Sequence, residues 1–288
     1  MLKKLFAALM AVAVTGVVSG AEEGITEKTV EAKVADSNWT SWCPGVSISS
    51  GGYDKLFTEV PAATQAQKAK MVILRLGLPI NDSEERVNGV DLALLASINV
   101  VKLNGVQIST LLSWPERFSG LQFSGFANVT TEAEGISIAP IVNAAQQYQG
   151  VQFGLMNAAY PDLFTMIGVE PLPSDTNLHS YGVQVGAVGN LAEYSTGLQF
   201  SGLCNAAISH EGMQSGLFNQ AAAFEGFQLG LVNFTEKLRG IQIGVSNCSQ
   251  NGGVQLALFN LAEKETLQIG LVNRNPSGFL PLTLFVNF

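Results

Sequence analysis

An all-β chain of tandem 13–16-residue repeats, stacked as a β-solenoid or β-roll, is what this 288-residue sequence predicts. Three observations carry that expectation. Between residues 226 and 273 the run Gly, apolar, Gln, apolar, Gly or Ala, apolar, apolar or small, Asn recurs as GFQLGLVN, GIQIGVSN and GVQLALFN, then with Thr266 leading as TLQIGLVN. Apolar residues alternate with Gln and Gly inside each run, which is the two-residue rhythm of a strand. A helix would need a spacing of three to four and would lose about 1 kcal/mol at each interior glycine. Finally, charge collects in a short segment after the Asn, such as FTEKLR at 234–239 or LAEKE at 261–265. Turns that are alike from unit to unit favour parallel coils, which stack every turn on the same edge.

The elements follow in chain order. Lys3 and Lys4 precede an apolar run at 5–18 and small residues at 19–21, the order of a secretory signal peptide, so residues 1–21 are expected to direct export. The apolar run is shorter than the roughly 20 residues a membrane-spanning helix needs. Residues 22–70 form an irregular N-terminal segment and cap. Within it, Trp39, Trp42 and Cys43 suit a hydrophobic lid better than a ligand platform, residues 45–48 read as a first degenerate strand, and residues 62–70 read weakly as a short helix.

Residues 71–288 are the repeat domain. Taking the Gln position as marker gives Arg75, Asp91, Gln107, Gln122, Ser137, Gln152, Gln184, Gln199, Gln214, Gln228, Gln242, Gln255 and Gln268, spaced 13–16 residues apart except for a gap of 32 after Gln152. That gap is read as a degraded copy around Thr165 followed by a polar surface loop near 170–181. The fifth position of the run is usually Gly but becomes Ser124-Gly125, Ala139-Pro140 and Ser201-Gly202 in three units. An extra residue inside a continuous strand would turn every later side chain to the other face, so these changes place a corner there. Apolar side chains are expected to fill each coil, with Gln and Asn stacked in rows between coils.

The alternative is an outer-membrane antiparallel β-barrel. The last residues, LPLTLFVNF, place apolar groups at every second position back from Phe288, a pattern that resembles the C-terminal signal of outer-membrane barrels. Uncharged runs of eight to ten residues would suit staves with Leu and Phe toward lipid and Gln and Gly toward a lumen.

The units GLQFSGFANV, GVQFGLMNAA and GFQLGLVNFTEKLRGIQIGV resemble the tandem repeats of a bacterial family of surface-repeat proteins, and VNGVDLALLASIN resembles that family's usual first repeat. The resemblance covers roughly residues 87–288 and implies export to the cell surface or outer membrane, with no established activity.

Composition narrows the function classes. Hydrophobic residues make up 47% of the chain and charged ones 13%, about half the usual share. A net charge of −8 without a basic stripe speaks against nucleic acid. Cys43, Cys204 and Cys248 are too few for a disulfide framework and too scattered for a zinc motif. His179 and His210 are expected at solvated turns, and Glu132, Glu134, Glu211, Glu225, Glu236 and Glu263 along a charged edge rather than as a glycosidase pair. No catalytic, cofactor-binding or metal residues are assigned, and no cofactor is implied. The expected function is therefore a non-enzymatic exported surface or outer-membrane repeat protein with a structural or binding role. A barrel pore or transporter is the alternative, and a polysaccharide-active β-helical enzyme a distant third. Partners consistent with this are the outer membrane, a cell-surface or host macromolecule, or further copies of the chain.

Overall fold

In the computed structural model, residues 46–49, 70–78, 80–161, 164 and 178–288 are described. The signal peptide, the tryptophan lid and residues 62–69 of the short helix expected at 62–70 lie outside them, while Lys70 is extended, at the start of a strand. Stacked parallel coils form a β-solenoid of about 12 turns. Among the described residues only Pro161 and Phe164 are helical, and no helix is long and apolar enough to cross a membrane.

The chain divides into two compact units. The first holds the described residues up to Gln146 together with Phe164, and the second holds 147–161 and 178–288. In the first, β1 (Val46–Ser49), β2 (Lys70–Gly77), β3 (Ile80–Ala93), β4 (Ala96–Ser109), β5 (Leu112–Ser124) and β6 (Ala127–Ile138) pair in sequence, every neighbour parallel. β1 is the degenerate first strand expected near residues 45–48. The division between the units falls within β7 (Val142–Ala159).

In the second unit β7 is followed by β8 (His179–Ser201), β9 (Cys204–Ser215), β10 (Phe218–Leu229) and β11 (Val232–Ile243), again parallel. Beyond β11 each coil splits, giving β12 (Ser246–Asn251) and β13 (Val254–Leu256), then β14 (Phe259–Lys264) and β15 (Leu267–Arg274). Only β16 (Leu282–Asn287) is antiparallel, lying against β15.

Register follows the sequence repeat. Arg75 pairs with Asp91, Asp91 with Gln107, Gln107 with Gln122 and Gln122 with Ser137. In the second unit Gln152 pairs with Gln184, and the column continues through Gln199, Gln214, Gln228, Gln242, Gln255 and Gln268. Two expectations fall here. A barrel needs antiparallel neighbours, and parallel pairing of successive repeats excludes it. Direct pairing of Gln152 with Gln184 leaves no coil between them, so no degraded copy occupies the column there. Thr165 and residues 170–177 lie outside the described residues, while His179 and Tyr181, assigned to a loop, already belong to β8.

The corner appears where the extra residues pointed. The chain bends at Gly125-Phe126, Pro140-Ile141, Gly202-Leu203, Gly216-Leu217, Gly230-Leu231 and Gly244-Val245, and strands resume on either side. A stricter glycine stands at the first position of the run. Gly182, Gly197, Gly212, Gly226 and Gly240 have φ between 126° and 153°. A Cβ on any of them would lie about 2 Å from the carbonyl oxygen of the preceding coil's glycine. Only glycine fits such an approach with such a φ.

Candidate functional surface

The interior of the coil is not the apolar filling that alternation led us to expect. Every Gln of the column in the second unit is buried, and so is every Asn that closes a run, Asn157, Asn190, Asn205, Asn219, Asn233, Asn247, Asn260 and Asn273. The amides satisfy one another along the stack, which is why a polar interior is tolerable. Gln184 Nε2 donates to Gln152 Oε1 at 2.8 Å, and the same bond repeats from Gln199, Gln214, Gln228 and Gln242 at 2.7–2.8 Å. Asn190, Asn205, Asn219 and Asn233 each donate through Nδ2 to the Asn Oδ1 of the following coil at 2.8–2.9 Å. Gln donors thus face the preceding coil and Asn donors the following one. The same Asn Nδ2 also reaches a backbone carbonyl just before the next corner, Asn219 to Leu229 and Asn233 to Ile243 at 2.8 and 2.9 Å. That bond is a second one on a carbonyl that also accepts the corner N–H of the preceding coil, Gly216 N to Leu229 at 3.1 Å and Gly230 N to Ile243 at 3.0 Å. Beside these rows the interior holds an apolar cluster of Ala207, Ala221, Phe224 and Leu238.

The first unit starts its column differently. Arg75 and Asp91 are fully buried and lie 3.5 Å apart, and Gln107 Nε2 donates to Asp91 at 2.9 Å. Arg75 also donates to Ser97 Oγ and to the Ile98 carbonyl, while Asn81 and Ser97 donate to the Asp91 carboxylate. An ionic pair therefore occupies two Gln positions and hands a carboxylate acceptor to the first Gln.

With the amides inside, the apolar residues of the run turn outward. Leu229, Leu231 and Val232 are exposed, and so are Ile241 and Val245 in the next coil and Leu258, Phe259, Leu267, Ile269 and Leu271 beyond. The first unit does the same with Val90, Leu92, Leu94, Ile108, Leu121, Phe123 and Ile136. From the first glycine to the Asn no coil of the second unit carries a charge. The charged residues stand instead on the segment after the Asn, where Glu225, Glu236, Lys237, Arg239, Glu263 and Lys264 are exposed. In the second unit an apolar, uncharged side therefore wraps the corner, and charge stands opposite in sequence in every coil except the one closed by residues 248–253, CSQNGG. Alternation revealed the strands, but which set of alternate residues faced inward is decided by amide pairing, a signal that was present in the unbroken Gln and Asn columns.

No chemistry-bearing cluster emerges among the described residues. Glu225 pairs with Arg239 and Glu132 with Arg117, both at 3.4 Å and exposed to solvent. Glu211 is in register with Glu225 in the adjacent coil, and no group of three His, Cys, Asp or Glu is placed to hold a metal. Cys204 and Cys248 are free and half-buried, and burial pushes both thiols up, away from the thiolate form. His179 bonds Thr196 Oγ1 at 2.8 Å and packs against Tyr181.

His210 departs from expectation. It is buried, stacks on Phe224 with ring centroids 5.7 Å apart, and its Nδ1 lies 2.8 Å from Ser195 Oγ. It stands where the neighbouring coils place Ser195 and Phe224, so it is an interior member of that row and not a solvated turn residue. Desolvation holds its pKa down at about 4, and bonds with the backbone of Met213 and Gly197 offset only part of that.

Comparison of the chain with protein-family models, curated proteins and solved structures yields no match.

Proposed function

We propose that this is a non-enzymatic, exported repeat protein of the bacterial surface or outer membrane, and that it works by presenting its uncharged coil side to a partner. The observation that carries this reading is the distribution of side chains. Polar amides are locked inside by hydrogen bonds, and a continuous apolar surface is left outside. Contiguous apolar patches of that kind mark interaction surfaces. The N-terminal charged, apolar, small-residue order and the resemblance to surface-repeat proteins support export.

Fractionation of bacteria that express the chain, followed by protease treatment of intact cells, tests the location. Recovery with the envelope and loss of the protein from intact cells is the expected result. Recovery in the soluble interior, protected until lysis, would overturn it.

A further inference from the structure

The distribution of groups around each coil is that of a body built to meet hydrocarbon, and we propose that the uncharged side of the second unit seats in the acyl region of a lipid layer. This deepens the surface-protein reading and rests on it for the role, though not for the physical argument.

Three features carry it. Backbone polarity is the first. Anything placed in hydrocarbon must satisfy its peptide groups internally, and here the N–H and C=O groups of the strands pair from coil to coil along the stack, so the sides of the coils present no unpaired strand edge. Among the described residues, β16 leaves an edge at the end of the stack. Corners are covered too: Gly230 N donates to the Ile243 carbonyl and Gly244 N to the Leu256 carbonyl, both at 3.0 Å.

Charge is the second. The side from first glycine to Asn carries none in any coil of this unit, and all charge stands on the segment that follows. A face without charge complements a phase that tolerates none, and the opposite side complements water.

Shape and extent are the third. The apolar surface runs through the corner, with Leu231 at 49%, Val245 at 42% and Leu258 at 46% exposure on the bend and exposed residues on both flanks. In the six coils from Gly197 onward, with about 4.8 Å per coil and about 13 Å per flank, it covers roughly 700 Å². That exceeds the roughly 300–600 Å² typical of the largest patch on a monomer. A second copy, being rigid, covers one flat flank and leaves the other in water. A fluid phase covers both flanks of a convex corner, which is why lipid is favoured over self-association. The seating is that of a body lying in the interface, about 5–10 Å deep, and not of a span.

The test places a reporter on each side of the coil in the full chain. Leu231→Trp and Lys237→Trp are compared by fluorescence with vesicles of phosphatidylcholine brominated on the acyl chains, so that the apolar N-terminal run contributes equally to both. Read as the difference from the parent chain, whose Trp39, Trp42 and Trp114 set a common background, the expected result is several-fold stronger quenching and a blue shift for the corner tryptophan alone, unchanged by added salt. A triple change, Leu231→Glu, Val245→Glu and Leu258→Glu, should remove vesicle binding by the stack while its β circular dichroism stays intact. If that variant does not fold, Leu→Thr and Val→Thr at the same sites keep strand propensity and serve instead. Equal quenching at both positions, or none at either, overturns the proposal. So does a blue shift at the corner without lipid that tracks a concentration-dependent rise in mass, which would identify a second copy as the occupant. Because the vesicle assay uses purified protein and the location assay uses intact cells, failure of either reading is seen without the other.

Discussion

The two units run the same interior column on different chemistry. In the second it is an unbroken series of Gln amides, and in the first it opens with Arg75 and Asp91, joined to the amides through Gln107. What is conserved along the stack is therefore not a residue type but an alternation of donor and acceptor at a fixed spacing. A carboxylate can stand in the row if a buried guanidinium neutralises it, and a Ser can stand in the Asn row, as Ser97 and Ser113 do. The units also differ in what they bury that can titrate: a paired carboxylate in one, a neutral imidazole in the other.

The largest effect is expected from breaking the ion pair. Asp91→Ala removes the Asp91 carboxylate from beside buried Arg75 and from its donors Asn81, Ser97 and Gln107, and should cost about 3–5 kcal/mol, read as a lower denaturant midpoint and lost hydrogen-exchange protection in β3 and β4. Changing both Arg75 and Asp91 to Gln should recover most of the loss by extending the second unit's row into the first. If the double variant is as unstable as Asp91→Ala, the donor–acceptor account of the column is wrong.

Acid should act on the second unit through His210. Its pKa is about 4 in the folded chain and about 6.5 when unfolded, so the unfolded chain takes up the proton first as pH falls. Stability fully present above about pH 6.5 is then lost progressively down to about pH 4, by about 3 kcal/mol in all. His210→Phe, which repeats the Phe224 position of the next coil, should flatten that part of the pH profile; an unchanged slope would assign acid sensitivity elsewhere.

Gly226→Ala should cost about 2–3 kcal/mol, since φ is 130° and the new methyl would lie 2.0 Å from the Gly212 carbonyl oxygen. Gly230→Ala should cost less, because its φ is not in the left-handed region and Ala257 already occupies the equivalent corner position, although the new methyl would still have to move off the Gly216 carbonyl oxygen at 2.5 Å. Thermal midpoints of the two variants give the comparison, and equal losses would contradict it. The smallest effect is expected from Gln228→Leu, which leaves the Gln214 acceptor without its donor, while Gln242 Nε2 loses Gln228 Oε1 but keeps Thr235 Oγ1 at 3.2 Å, and it should cost about 1–2 kcal/mol in unfolding free energy.

Much of the fold was legible in the sequence because repetition supplies its own alignment: the marker residues, Arg75 and Asp91 included, are the residues that pair. The corner was legible through Ser124-Gly125 and Ala139-Pro140. Two things were not. Alternation alone does not say which alternate set faces inward, and hydrophobicity pointed the wrong way, because it takes no account of amides that satisfy one another across coils. The fifth-position glycine also drew attention that belonged to the first. The corner shows its substitutions because its glycines, although close to a neighbouring carbonyl, need no positive φ, whereas the first-position glycine, held at positive φ, recurs through Gly253 and gives way to Thr266 in the last run. His210 was misplaced because a His beside a Glu in a polar stretch looks solvated, and only the row it shares with Ser195 and Phe224 shows otherwise.

The opposed directions of the two amide rows have a consequence for length. Each side-chain amide carries a dipole comparable to that of a peptide unit, about 3.5 D. Gln donors face one way along the axis and Asn donors the other. In an α-helix such dipoles add, and a partial charge builds at each end. Here they cancel coil by coil, and the parallel strands add little of their own. A coil can therefore be gained or lost without changing the field at the ends, so the number of repeats can drift electrostatically free of the rest of the stack.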